Sequence, residues 1–204
     1  MIRQPVFFLI MIALALSSCQ SPDNKPAVSR GENMDDYDFS TLENGDIVLK
    51  AGHGMISQFI IKALDEPIPI SHVALIAKED DSLYVIHSVA RQVSGVDGVQ
   101  TMSFYEFLKD TKKGSLFVLR HKASKQLRDS LIARAKYYLD QRVPFDHRYD
   151  LNDQKEMYCT EFVYSALKDV FGKGYFKNTA LPQQEVLNFN PILSDSNFIS
   201  LRVN

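Results

Sequence analysis

The N-terminal segment limits which residues can belong to the folded domain, because its sequence predicts that residues 1–18 are removed. Arg3 precedes an apolar run over residues 5–16, which is too short to span a bilayer, and small residues occupy positions 17 and 18. This order of charge, apolar run and small residues is typical of a secretory signal peptide. We therefore expect residues 1–18 to contribute nothing to the folded domain.

Cys19 indicates how the exported chain is held. It follows Leu16-Ser17-Ser18, and this sequence resembles the bacterial lipoprotein signal, in which the cysteine is diacylated and becomes the new N-terminus. The alternative is an ordinary secretory peptide with an incidental cysteine, and the scarcity of cysteine in the chain weighs against it. We expect Cys19 to anchor the chain in the bacterial cell envelope, at the outer membrane or cell surface rather than the cytoplasmic membrane.

Residues 19–40 predict a lipidated start followed by a disordered tether. They are mostly polar and include Pro22, Pro26 and Gly31. A flexible chain of about twenty residues spans roughly 25 Å, enough to hold a domain just off a membrane. Residues 41–204 are then the folded part, and this length suits one domain with one core.

Charge and cysteine content exclude some functions. The formal net charge is −2, and 23 basic and 25 acidic residues are mixed along the chain. Because no basic stripe is present, we do not expect nucleic acid as a partner. With Cys19 lipidated, Cys159 is the one remaining thiol, so no intramolecular disulfide is expected. A lone thiol in an exported protein requires another explanation.

Hydrophobic periodicity predicts an α+β domain, because short strands alternate with helices. Apolar residues recur at helical spacing between Ile56 and Leu64, and a later helix starting at Ser124 has a buried stripe that begins at Leu127. Ser103 and Glu106 match the capping-box spacing of a short helix. Strands are predicted at residues 47–50, 70–77, 83–89 and 116–120, with the second and third forming a hairpin, and a last helix is predicted to start near residue 159.

Cys159 is the candidate nucleophile. Its position at the start of a predicted helix directs unpaired amides and the helix dipole at the sulfur, and both favour thiolate. The same amides could stabilise an oxyanion formed when the thiolate attacks a carbonyl. The alternative is a buried cysteine that acts as a small apolar side chain, since free cysteine is often buried.

Two of the five histidines lie inside apolar strands and could serve the thiol. If the hairpin turn has an even length, His72 and His87 share one face of the sheet, and an odd length would separate them. On one face beside Cys159 they could act as base and orienting group. The alternative is that they are ordinary strand histidines bonded to backbone. His53 and His121 lie at element ends, where we expect them to be solvated.

Metal and other cofactors are not expected. His72, His87 and Cys159 are ligand types that zinc uses, but the closely spaced ligand pairs of common zinc sites are absent from the sequence. The acidic loop over residues 146–153 lacks the glycine and the spacing of a calcium-binding EF-hand loop.

Four segments of the sequence resemble the YiiX-like branch of the NlpC/P60 superfamily, which consists of circularly permuted papain-like cysteine hydrolases. The resemblance extends over residues 41–204. It implies an α+β fold with a small antiparallel sheet packed against helices and the nucleophile at a helix N-terminus. The segments are residues 44–48 (NGDIV), 70–76 (ISHVALI), 84–88 (YVIHS) and 158–164 (YCTEFVY).

The resemblance also implies roles for individual residues. Cys159 would be the nucleophile, His72 the general base, and His87 the third polar residue, a position at which YiiX-like members often have glutamate. Phe145-Asp146 matches a Tyr-Asp pair common in this loop, and an acidic residue follows the nucleophile at Glu161. We expect Asp146, Glu161 and the neighbouring Tyr158 to support the geometry of the site. None of the predicted site residues is expected to bind a metal.

The function expected from the sequence is that of a membrane-anchored thiol hydrolase. Its substrate would be amide bonds in peptidoglycan stem peptides or similar small peptides, an expectation that rests on family and location. Lipid acyl hydrolysis or transfer by the same cysteine and histidine is a second hypothesis, because permuted relatives include phospholipases and acyltransferases. A third is a non-catalytic binding lipoprotein that keeps the fold, favoured if His87 cannot orient His72.

Overall fold

The computed structural model describes residues 38–150, 155–173, 175 and 188–202, in which a six-stranded antiparallel sheet is flanked by helices. The expected α+β fold class is confirmed. The predicted signal peptide, Cys19 and nearly all of the tether lie outside the described residues. In chain order the elements are β1 (Ile47–Lys50), α1 (Met55–Leu64), β2 (His72–Glu79), β3 (Ser82–Val89), α2 (Arg91–Ser94), β4 (Gly98–Ser103), α3 (Phe104–Leu108), β5 (Phe117–His121), α4 (Lys125–Asp140), α5 (Cys159–Phe171), α6 (Asn190–Ser194) and β6 (Phe198–Leu201).

The sheet has the strand order β4-β3-β2-β1-β5-β6 and buries both of its faces. Leu49 and Leu75 belong to the core on the face that α4 and α5 cover. Val48 and Ala74 point the other way and pack with Phe104 of α3. Successive strand residues therefore alternate between two separate cores, as the period of a β-strand requires. Within the described ranges, no helix is long and apolar enough to cross a membrane.

The predicted hairpin is formed by β2 and β3. Its turn is even, since Glu79 pairs with Ser82 across two residues, and the ladder continues to the pair Leu75 and Ile86. Continuing this register places Ala74 opposite His87. Because alternate residues share a face, His72 and His87 lie on the same face, one diagonal apart.

Short elements near the sheet edges differ from the sequence-based prediction. No strand is predicted between residues 89 and 116, but Gly98–Ser103 forms β4 and pairs with β3. Its burial alternates after the first two residues, and polar side chains such as Gln100 obscure the apolar pattern of this edge strand. The sequence also gave no signal for α2, α6 and β6, which have four, five and four residues.

Helix burial was predicted correctly only in part. In α4, Leu131, Ile132 and Ala135 are buried as predicted, but Leu127 in the first turn is 41% exposed. Ser124 caps α4 by accepting a hydrogen bond from the Leu127 N–H. The side chain of Ser103 makes no such bond at the start of α3, so the expected capping interaction is wrong there.

A buried ion pair joins the turn before β1 to β5. The Arg120 guanidinium donates from Nε and Nη2 to the two oxygens of Asp46, both at 2.7 Å. The Asp46 side chain is fully buried, and the Glu43 N–H donates to it as well. Burial raises the pKa of Asp46 and the contact with Arg120 opposes that shift. A buried carboxylate of this kind depends on its partner, because an unpaired charge in the interior is strongly unfavourable.

We expect Arg120→Ala to lower the free energy of unfolding by about 3–5 kcal/mol, because it leaves Asp46 buried without its cation. The matched control is Lys125→Ala, which removes an exposed pair with Asp129 at 2.9 Å and should cost about 0.5 kcal/mol or less. Chemical denaturation of both variants measures the difference. Equal losses would contradict the role assigned to the buried pair.

Candidate active site

The two strand histidines are bonded to each other. His72 Nε2 and His87 Nδ1 are 2.8 Å apart, and the two ring centroids are separated by 5.1 Å. Both imidazoles pack against Phe107, with centroid distances of 5.6 and 5.8 Å. His87 is buried and His72 is half-buried at the start of β2. The sheet therefore holds the pair rigidly on one face.

This contact assigns the proton positions that a base would need. If His72 is to accept a proton at Nδ1, its Nε2 carries a hydrogen and donates it to Nδ1 of His87. Neutral His87 then carries its own hydrogen on Nε2, a buried atom for which the described residues supply no hydrogen-bond partner. The pair thus leaves Nδ1 of His72 as the nitrogen available for proton transfer.

Cys159 lies at the first position of α5, as expected, and is half-buried. The backbone N–H groups of Val73, Thr160 and Cys159 itself are near enough to its sulfur to lower the pKa of the thiol. Val73 follows His72 directly in β2, so the thiol lies beside the strand end from which His72 projects. The start of α5 and the start of β2 are therefore joined at the sulfur atom.

The sheet opens at this point. Pairing between β2 and β3 ends at Leu75 and Ile86, and the residues that lead into α5 occupy the space beyond. There the Ser88 hydroxyl donates to the Met157 carbonyl, while the Val73 N–H lies near the Cys159 sulfur. The chain before α5 is thus fixed to both strands.

Burial decides the protonation states of the site. It raises the pKa of Cys159 to about 11, although the three N–H groups act in the opposite direction. Burial also lowers the pKa of His87 to about 4 and that of His72 well below its usual value. Near pH 7 the thiol and both imidazoles are therefore uncharged. The amides at the helix start act in the expected direction, because they lower the pKa of the thiol, but desolvation has the larger effect.

Lys50 and Asp110 are neighbours of the histidines that sequence reasoning missed. Lys50 pairs with His72 across β1 and β2, and its buried ammonium donates to the Phe107 carbonyl and to the Asp110 carboxylate. The ammonium also lies 4.5 Å from the centroid of the Phe107 ring. Its charge contributes to lowering the pKa of both histidines. The only available signal was a lysine at an inward-facing position of an apolar strand.

Asp146 organises the loop that borders the thiol. It is buried, and its carboxylate accepts the N–H groups of Arg148, Tyr149 and Asp150 at 2.7, 2.9 and 2.6 Å. Tyr149 has a φ of 57°, in the left-handed region, and its ring contacts Tyr158 at 5.2 Å. Burial and the nearby groups of Cys159 and Asp146 raise the pKa of Tyr149. Tyr149 is therefore a third residue at the site that the sequence did not reveal.

The remaining sequence candidates have varied positions. Tyr158 and Glu161 are buried on either side of Cys159 at the start of α5. His53 is exposed, as expected. His121 is not solvated as predicted: it is buried and stacks on Phe171 with a centroid distance of 4.1 Å, because β5 ends beneath the C-terminal part of α5.

Comparison with known proteins identifies the family. Residues 41–188 match the family described as permuted papain-like amidase enzymes, YaeF/YiiX, C92 family. The chain belongs to this family. The resemblance to YiiX-like proteins and the permuted papain-like fold are thereby confirmed, and family membership makes the chain a papain-like cysteine hydrolase. No curated protein matches the sequence.

A solved structure has the same fold. The crystal structure of metalloprotein yiiX from Escherichia coli O157:H7 superposes with a TM-score of 0.62 at 18% identity, covering 79% of this chain and 97% of that chain. At this identity the likeness shows the fold alone.

The residues described here do not fit a metal site. That relative is named a metalloprotein, but the part of this chain that the structure describes contains no group of three or more His, Cys, Asp or Glu able to hold an ion. His72 Nε2 and His87 Nδ1 face each other at hydrogen-bond distance, so neither lone pair is directed at a shared ion.

The thiol pKa gives a direct prediction for Cys159, which is the only cysteine in a chain that starts at Gln20. Iodoacetamide reacts with thiolate, so alkylation of the native protein should rise about tenfold per pH unit until the pH approaches the thiol pKa. Burial places that pKa at about 11.

The control is the same protein in denaturant, whose alkylation rate should level off near the ordinary cysteine value of about 8.5. A native plateau at or below that of the denatured chain would show that the amides at the start of α5 outweigh burial.

Proposed function

We propose that this chain is a lipid-anchored cysteine amidase in which Cys159 is the nucleophile, His72 the general base and His87 the residue that orients the base. The observation that carries the proposal is the 2.8 Å contact between the two imidazoles at the strand end where the Cys159 sulfur lies. A nucleophile, a base and a group that fixes the base are the parts that covalent amide hydrolysis requires.

The reaction starts from an uncharged pair. As Cys159 Sγ forms a bond to the amide carbonyl carbon, its proton moves to Nδ1 of His72, and the carbonyl oxygen becomes an oxyanion. His72 then donates that proton to the leaving amine as the C–N bond breaks, which leaves a thioester. Water attacks the thioester with His72 again as base, releasing a carboxylic acid and restoring the thiol.

Backbone amides at the start of α5 support the oxyanion step. The N–H groups of Cys159 and Thr160 surround the sulfur in the resting site. Negative charge that moves from sulfur to the carbonyl oxygen would remain within reach of these donors, and a helix N-terminus favours such a charge. The donors are held by the helix, so little reorganisation is needed during the reaction.

The substrate class follows from family and predicted location. Residues 1–19 predict export and lipidation at the cell envelope. The family is one of amidases. We therefore propose amide bonds in peptidoglycan stem peptides, or in related small peptides, as the substrate, and the outer membrane or cell surface as the location.

Lipid acyl chemistry is a second candidate, favoured by one observation. Helix α1 begins beside the site, since the Ser57 and Ser71 hydroxyls are hydrogen bonded and Ser71 precedes His72. Met55 and Phe59 on this helix are 90% and 73% exposed. An apolar surface next to a thiol site suits a substrate with acyl chains. A non-catalytic binding role would require that His87 cannot orient His72, and the hydrogen-bond distance between them argues against that condition.

Hydrolysis assays distinguish these functions. The chain from Gln20 and its Cys159→Ala variant are incubated separately with muropeptides and with phospholipid vesicles. We expect release of amino groups from muropeptides by the unsubstituted chain and a loss of at least roughly 10⁴-fold in the variant, because the covalent step is removed. Release of fatty acid would support the acyl enzyme instead. No product from either substrate would favour a binding protein.

Substitution of His87 tests the orienting role. His87→Ala should lower kcat by roughly 10²-fold with little change in KM, since it frees the ring that must meet the thiol. His87→Asn places an amide oxygen near the position of Nδ1, so it should retain more activity than His87→Ala. Similar losses in the two variants, or a change confined to KM, would count against an orienting hydrogen bond.

A further inference from the structure

Helix α1 is apolar on the side that faces water as well as on the side that faces the core. Ile60 and Leu64 pack against the core beneath it. On the opposite side, Met55 and Phe59 are 90% and 73% exposed, and Ile56 at the flank is 47% exposed. A helix that only covered the core would present polar residues outward. The outward face of α1 therefore requires a different explanation.

Two lysines border this face, and the exposed Asp65 follows α1 directly at its C-terminal end. Residues 55–64 contain no acidic side chain, and exposed Lys62 lies on the outward side of the helix. Lys112 is also adjacent, because its ammonium donates to the Gln58 side chain at 3.0 Å. Large apolar side chains bordered by lysines are the pattern of helices that lie in the interface of anionic membranes.

The start of the domain is close to α1. Phe39 packs on Phe104 at the beginning of α3, with a centroid distance of 5.0 Å. Past the other end of α3, the Asp110 carbonyl accepts the N–H of His53, which immediately precedes α1. At a helical rise of 1.5 Å per residue, Phe104 and Asp110 are roughly 10 Å apart. The proposed tether from Cys19 spans roughly 25 Å, so a bilayer that holds the lipid is within reach of α1.

We propose that Met55, Ile56 and Phe59 dock onto the lipid bilayer, with Lys62 and Lys112 at the headgroups. This α1 face, defined by those three apolar residues, would seat the domain with the mouth of the thiol site next to the membrane surface. The inference rests on the proposed lipid anchor for proximity and does not depend on the proposed amide chemistry. The anchor confines the chain to the membrane, and the α1 face sets its orientation.

The chain contains no tryptophan, so a single introduced tryptophan reports on one position. Phe59→Trp places the reporter on the α1 face. Tyr137→Trp is the matched control, because Tyr137 is an aromatic residue of α4 that is 48% exposed. Both are made in a Cys159→Ala background, purified as the mature lipidated chain and reconstituted into vesicles of phosphatidylethanolamine and phosphatidylglycerol, with or without brominated acyl chains.

Interfacial helices bury their apolar face about 5–10 Å into the headgroup and acyl boundary. We therefore expect blue-shifted emission from Phe59→Trp and roughly twofold quenching by brominated lipid, with neither change for Tyr137→Trp. Adding Lys62→Glu to Phe59→Trp should reduce the quenching in anionic vesicles. Circular dichroism verifies that each variant is folded.

Three results would overturn the proposal. Emission typical of water and no quenching from Phe59→Trp would show that α1 does not meet the bilayer. A blue shift that is already present without vesicles would mean that another part of the chain covers the face, or a second copy if dilution reverses it. Equal quenching of both reporters would indicate unspecific adsorption.

If mass spectrometry finds no lipid on Cys19, the anchor proposal fails. The same variants are then mixed with vesicles from solution, which measures docking independently of the anchor.

Discussion

The divergence of β2 and β3 beyond Leu75 is the constraint on which the rest of the site depends. Antiparallel strands normally continue their ladder, and a backbone N–H left over in the interior is unfavourable. Here the Val73 N–H lies near the Cys159 sulfur, while Ser88 on the other strand holds the Met157 carbonyl. Contacts from both strands of the opened hairpin thus hold the start of α5 in place. The imidazoles of His72 and His87 are in contact at the same opening, so the position of the histidine pair and that of the thiol have a common origin.

Desolvation is the second determinant of the site's chemistry. The amides at the start of α5 would stabilise a thiolate in water, but the surrounding core makes a separated charge pair less favourable than two neutral groups. Lys50 acts in the same direction on the histidines, because a buried cation disfavours another cation nearby. Its own charge is balanced by Asp110 and by the Phe107 ring. The site therefore combines backbone N–H groups that lower the pKa of the thiol with surroundings that raise it further and favour the protonated thiol.

The sequence predicted features that depend on local periodicity, and it failed where long-range burial decides. The shared face of His72 and His87 followed from strand alternation and an even turn, and the start of α5 followed from the apolar stripe after Cys159. The thiol pKa did not follow, because desolvation depends on β2, which is distant from Cys159 in the chain. His121 was misjudged for the same reason, since a residue at a strand end is buried only if another element covers it. β4 was missed because an edge strand with one buried face has little apolar pattern. The catalytic roles, the anchor and the substrate remain predictions.

If His72 is the base, the uncharged residue at position 87 has a consequence for the step in which the amine leaves. A glutamate at position 87 would hold a cation on His72 by direct attraction, whereas a neutral imidazole supplies only a hydrogen bond. An imidazolium formed at His72 is consequently a stronger acid than one exposed to water, and it releases its proton more readily. That property suits the expulsion of a basic amine, which departs only when protonated, and gives less advantage to an alcohol that can depart with weaker assistance. In the proposed mechanism, histidine in place of glutamate would thus tune the site by leaving-group basicity, a selection that operates on the departing atom and not on the shape of the substrate.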